Sequence, residues 1–176
     1  MYKPRMSKEP PDSDLKSKIL KISAFLSDPG ARAARAALRA FHRDAPPIFW
    51  DLLQRFVGTG LTPGSEDNWR LVIHFIACTT SAGGKNSDLP FGRACQKAGV
   101  SEGRVLQLLA ARGSSLHQLV PRVCKMVASR GVGFDFTEVA KLILYQGHPS
   151  HEYVRKRILR TFVQSPQIQD EKEVNP

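Results

Sequence analysis

The chain has 176 residues, 41% apolar and 24% charged, which fits one compact domain or two small bundles sharing a core and excludes a large multidomain enzyme. Lys and Arg number 26 against 16 Asp and Glu, a formal charge of +10, and this excess favours a polyanionic partner. No apolar run approaches the ~18 residues of a membrane span, and the N-terminus lacks the apolar stretch of a signal peptide, so a cytoplasmic protein with no membrane partner is expected.

Apolar residues recur at spacings of three and four, and Ala and Leu outnumber the β-branched residues, so the pattern predicts an all-α fold of about eight helices. After a basic tail over 1–14, expected to be disordered, a first helix follows Ser13 with the stripe Leu15, Ile19, Ile22 and Leu26. Asp28 and Pro29 supply the cap and first turn of a second helix, which must stop before Pro46. Phe49, Trp50, Leu53 and Val57 mark a third helix, ended by the glycines between 58 and 64. Ser65, with Glu66 and Asp67 in the first turn, opens a fourth, whose Trp69, Leu71, Val72, Ile73, Phe75 and Ile76 make it the central core helix.

The Gly-, Ser- and Asn-containing loop 81–90 divides an N-terminal helical subdomain, 15–80, from a C-terminal one, 91–163. Beyond it come a short helix over 91–98, a turn at Gly99, and a helix capped by Ser101. Ser114 or Ser115 begins a longer helix in which Pro121 predicts a kink or a late start. Residues 132–136 alternate like a strand, and Asp135 with Glu138 resembles a capping box ahead of Val139, Leu142 and Ile143. A basic helix over 150–163 closes the globular part, and 164–176 reads as a disordered tail.

On the second helix Arg32, Arg35, Arg39 and Arg43 fall within an arc of about 80°, opposite Ala34, Ala37, Leu38 and Phe41. Guanidiniums in a row suit successive phosphates, to which each offers planar, charge-assisted hydrogen bonds. A second basic face joins Arg122 and Lys125 with Gln118 and Ser129. On the last helix Lys156, Arg157 and Arg160 share a side with Tyr153, a mixture suited to phosphate and base together.

Catalytic and metal constellations are not evident. His148 and His151 are spaced like a ligand pair, but no Cys or HExxH arrangement accompanies them, and His74 reads as a hydrogen-bonded core residue. Cys78, Cys95 and Cys124 lack CxxC spacing and read as reduced core residues. No enzyme activity, metal or cofactor is therefore expected. The stretch 93–109 has helix-turn-helix spacing, with Gly99 at the turn and Ser101, Glu102 and Arg104 at the exposed start of the second helix, so a DNA-binding transcriptional regulator is the alternative reading.

An ordered set of residues carries a family resemblance. It begins with Leu38 and Arg39, then Pro47, Phe49, Trp50 and Leu53, and after a loop Gly92, Arg93 and Ala94. Ser101, Glu102, Arg104, Leu108 and Leu109 follow, then Leu119, Arg122 and Val123, then Phe134, Asp135 and Phe136, and an aromatic–Gly turn before the basic last helix. Over roughly 15–163 the chain resembles the CasB-type small subunit of the type I-E CRISPR Cascade complex, an antiviral defence assembly. It departs at Phe136 and Gln146, where the family commonly has Trp, and at Ala110 and Ala111, where Arg is frequent.

The resemblance implies a non-catalytic subunit that binds RNA and DNA without sequence preference. Its implied partners are crRNA, target DNA with its displaced non-target strand, the backbone and large Cascade subunits, and a second copy of itself. Arg39, Arg104 and Arg122 match the family's basic positions; Arg32, Arg35, Arg43, Lys125, Arg157 and Arg160 come from the face geometry.

Overall fold

The computed structural model describes residues 12–40 and 44–164, and among them it forms nine α-helices, one more than the pattern predicted. The tails 1–11 and 165–176 and the segment 41–43 lie outside the described residues, and with them Arg43 and the expectation of disordered ends.

Helix α1, Asp12–Ser27, starts just ahead of Ser13 and buries Leu15, Ile19, Ile22 and Leu26, each 1% exposed or less. Asp28 Oδ1 accepts the Gly30 N–H at 2.7 Å and caps a single 3₁₀ turn, Pro29–Ala31, which leads into α2, Arg32–Ala40. Helix α3, Pro47–Leu52, continues as a π-helical turn, Leu53–Val57, that closes at Gly58 with φ of 118°.

Helix α4, Pro63–Ser81, begins earlier than Ser65. Thr62 Oγ1 accepts the Ser65 N–H at 3.3 Å, and Pro63 takes the first helical position, where an N–H would have no partner within the helix. It is the central helix expected: Trp69, Leu71, Val72, Ile73, Phe75, Ile76 and Ala77 are buried, and α1, α2, α7 and α8 all pack on it. One hydrophobic cluster accordingly runs from α1 to α9 through both halves of the chain.

Loop 82–90 is tied down rather than free-standing. Ser87 N–H donates to Phe134 O at 3.0 Å, Phe134 N–H to Lys85 O at 3.2 Å and Asp135 N–H to Leu89 O at 2.8 Å, so the alternating segment 132–136 makes a single β-bridge, Asn86 with Phe134, instead of a strand.

Helices α5, Phe91–Lys97, and α6, Glu102–Ala110, are joined by a turn at Gly99 with φ of 70°. Helix α7, Gly113–Ser129, starts ahead of Ser114 and runs through buried Pro121, so the proline marks no late start. Helix α8, Phe136–Leu144, is capped by Asp135, whose Oδ1 accepts the Thr137 N–H at 2.8 Å; α9, Ser150–Val163, has the bounds the sequence predicted.

Helix α9 lies closely on α5. A Cβ on Gly92 would overlap Ile158 O and Thr161 Oγ1, far inside van der Waals contact, so only glycine lets these backbones meet. This contact locks the last helix onto the C-terminal half and fixes the orientation of its basic face.

Candidate nucleic-acid interface

Helix α4 packs against both α2 and α7, and its half-buried residues His74 and Cys78 connect it to their basic faces. His74 Nδ1 lies 2.8 Å from Leu38 O on α2; because a carbonyl only accepts, Nδ1 carries the proton and Nε2 faces Cys78 Sγ at 3.6 Å. Burial pushes the Cys78 thiol above its usual pKa, while Arg39 from α2 and Lys125 from α7 both act on it in the opposite sense. Arg39 and Lys125, 86 residues apart in sequence (125 − 39), therefore both act on one α4 residue, from helices that each pack on α4.

Along α7 the exposed stripe is Ser115, Gln118, Arg122, Lys125 and Ser129, opposite buried Leu116, Val120, Val123 and Val127. Along α2, Arg32 and Arg39 are exposed and Leu38 is buried. Among the described residues no carboxylate pairs with Arg32, Arg39, Arg122 or Lys125. Arg104 of α6 reaches across to α7, its Nη1 3.5 Å from Met126 Sδ, one helical turn from Arg122. Five of the nine expected residues thus belong to the α2–α4–α7 surface and its α6 edge.

The remaining four are placed differently. Arg35 does not extend the free row: its Nη1 donates to Leu26 O and Asp28 O, each at 2.7 Å, and so satisfies carbonyls at the end of α1. Arg157 is engaged as well, its Nε 3.1 Å from Oε1 of Glu138. Arg160 is exposed, with no carboxylate partner among the described residues, but it sits on α9, which packs on α5, α8 and α6. Arg43 lies outside the described residues.

Sequence reasoning missed Glu138. Read as the second half of a capping box, it does not turn back to Asp135; its Oε2 accepts the Phe91 N–H at the start of α5, at 2.6 Å, and the residue is 4% exposed. Burial pushes its carboxyl above the usual range, opposed by the Phe91 N–H and by Arg157. The acceptor serves a donor 47 residues away, and no local spacing announces that.

The histidine pair serves the backbone. His148 Nδ1 accepts the Ser150 N–H at 3.1 Å, while buried His151 has Nε2 3.1 Å from Leu142 O. Among the described residues no group of three or more His, Cys, Asp or Glu is placed to hold a metal ion. Cys95 and Cys124 are core thiols, Cys95 pushed up by burial to about 12, whereas Cys78 is only half buried. No helix among the described residues is long and apolar enough to cross a membrane.

The family model for CRISPR-associated protein Cse2 matches residues 34–162, most of the chain and all the helices from α3 to α8. This chain belongs to the Cse2 family. No match was found among the curated proteins. Among solved structures, a Cse2-family CRISPR-associated protein from Thermus thermophilus is similar with a TM-score of 0.65 at 20% identity, covering 88% of this chain and 98% of that one. CasB from Thermobifida fusca is similar with a TM-score of 0.65 at 16% identity, covering 86% of this chain and 96% of that one. Both likenesses establish the all-α Cse2 fold, and family membership supports the role of a Cascade small subunit.

Proposed function

We propose that this Cse2-family chain is the non-catalytic small subunit of a type I-E Cascade complex, and that it stabilises the R-loop by sequence-independent contacts with the crRNA–target backbone and the displaced strand. The observation that carries this reading is the α2–α4–α7 surface. Arg32, Arg39, Arg122 and Lys125 are exposed there with no carboxylate partner among the described residues, while Leu38 of α2 and the apolar side of α7 are buried. R-loop formation is a nearly balanced exchange, so a modest set of phosphate contacts is enough to tip it. Backbone and large Cascade subunits, and a second copy of this chain, are the protein partners the family suggests.

The helix-turn-helix alternative gains nothing from the geometry. The α5–α6 turn exists, but α6 opens with exposed Ser101 and Glu102, and Arg104 is drawn onto Met126 of α7. A mobility-shift comparison of scrambled duplexes and single strands tests the proposal. Both bind, without sequence preference, and binding weakens steeply with salt; tight binding to one duplex alone overturns it. Co-purification with a guide-RNA-containing assembly tests the partners, and a metal-supplemented cleavage assay, expected to be silent, tests the absence of catalysis.

A further inference from the structure

The outer face of α9 is separate from the surface just described and is built differently. Tyr153 is 68% exposed, and Lys156, Arg157 and Arg160 are exposed beside it. Behind this face lies Glu138 of α8, buried, with Oε2 fixed by the Phe91 N–H at 2.6 Å and Oε1 3.1 Å from Arg157 Nε. That contact is close but not aligned as a hydrogen bond, and no other group satisfies Oε1 among the described residues. Arg157 keeps 52% of its side chain exposed, and among the described residues nothing else engages its guanidinium. Its Nε edge is therefore held inward, and the opposite edge of the guanidinium is left for a ligand.

We propose that Glu138 is a positioning residue that presets Arg157 as a phosphodiester-binding fork, making the α9 face a second nucleic-acid contact with Tyr153 available to stack on an unpaired base. This inference rests on the nucleic-acid reading above. A guanidinium offers two parallel donors to a phosphate only when its plane is oriented, and a free surface arginine loses rotamer freedom in finding that orientation. A buried carboxylate pinned by a backbone N–H removes much of that loss before the ligand arrives. Arg160 adds charge on the same face, where Lys156 lies 3.9 Å from Glu152 Oε1, and the exposed ring favours a single strand over an acidic protein surface.

Charge counting and positioning predict opposite signs, and the experiment uses that. The full chain is titrated at low salt with a labelled single strand of roughly 20 nucleotides and mixed sequence, read by fluorescence anisotropy. Glu138→Gln removes a negative charge beside a cationic face, which by electrostatics alone tightens binding, and its amide oxygen still accepts the Phe91 N–H. Positioning predicts instead that Glu138→Gln binds roughly three- to tenfold more weakly despite the added net charge, and that Arg157→Lys, which keeps the charge but not the fork, is as weak as Arg157→Ala.

Equal or tighter binding by Glu138→Gln overturns the inference. Should that variant fail to fold, Arg157→Lys decides, and affinity within about twofold of wild type overturns it, leaving the face to an acidic protein or to solvent. The two readings fail separately. If Arg39→Ala/Lys125→Ala loses affinity while the α9 variants do not, only this inference falls; if the wild-type chain binds no strand at all, the proposed function falls with it.

Discussion

Two regions of the molecule carry arginines at similar density and put them to different uses. On the α2–α4–α7 surface Arg32, Arg39, Arg122 and Lys125 have no carboxylate partner among the described residues, and the bulk of their charge is available. Around α9 the fold engages the same residue type. Arg155 Nε donates to Leu109 O near the end of α6 at 2.6 Å and its Nη1 to Glu152 at 2.8 Å, Arg93 donates to Gln164 O and to Gln96, and Arg157 faces Glu138. A count of basic residues therefore overstates the free charge of the second region, since a guanidinium bound to the last carbonyls of a helix contributes to stability first.

The largest effect expected from breaking this contrast is at the seam that holds α9. Gly92→Ala drives a methyl into Ile158 O and Phe162 N, both backbone atoms of α9 and neither able to retreat without moving the helix. A loss of about 3 kcal/mol is expected, a Tm fall of roughly 6–12 °C for a chain of this size. Thermal unfolding followed by circular dichroism measures it. Below the transition the Arg39 and Lys125 surface should bind as before, because α2 and α7 do not pack through Gly92.

Next comes the paired substitution Arg39→Ala/Lys125→Ala, set against Arg35→Ala. If two phosphate contacts are lost, the slope of log affinity against log salt on a single strand should shrink by roughly 1.4, with Tm nearly unchanged. Arg35→Ala reverses the pattern. It removes two 2.7 Å hydrogen bonds to the end of α1 and should cost about 1–2 kcal/mol of stability with little change in salt slope. Equal salt-slope losses in both variants would erase the distinction between free and engaged arginines.

That distinction marks the limit of what the sequence discloses. Helical periodicity shows which side of α2 or α7 is wet, and it placed the buried stripe of α1, the central α4 and the bounds of α9 correctly, because each depends on neighbours three and four residues apart. It also placed Arg35 in the same arc as Arg32 and Arg39. Nothing in that arc reveals that Leu26 and Asp28, seven to nine residues upstream, turn their carbonyls toward it. Glu138 fails for the same reason on a longer scale, since a capping box and a 47-residue acceptor share one local spacing. The common influence of Arg39 and Lys125 on Cys78 was equally hidden, for it depends on α2 and α7 both packing on α4, and periodicity treats each helix singly.

A smaller effect should separate the engaged arginines from one another. Arg155→Ala loses the bond to Leu109 O, and Arg112, which also donates to Leu109 O at 3.0 Å, keeps that carbonyl partly satisfied. A cost of about 1 kcal/mol in urea unfolding is expected, with no change in oligonucleotide affinity. A change in affinity would assign Arg155 to the interface.

The smallest effect concerns the pH dependence of the fold. Glu138 has its carboxyl pushed up by burial from the ordinary 4.5, against the pull of the Phe91 N–H and Arg157. A folded-state pKa raised above the unfolded value means that the native chain holds this proton more tightly, so its contribution to stability falls as pH rises from about 4.5 through the raised value. The sign is opposite to that of a carboxylate stabilised by its ion pair. Subtracting the urea-unfolding free energies of Glu138→Gln from those of wild type across this window should isolate the slope, with the variant gaining on wild type as pH climbs. A difference that runs the other way would mean that Arg157 more than offsets the burial of this carboxylate, and the ionised side chain would then be sustained by the fold alone, with no ligand at the α9 face required to explain why a charge sits there.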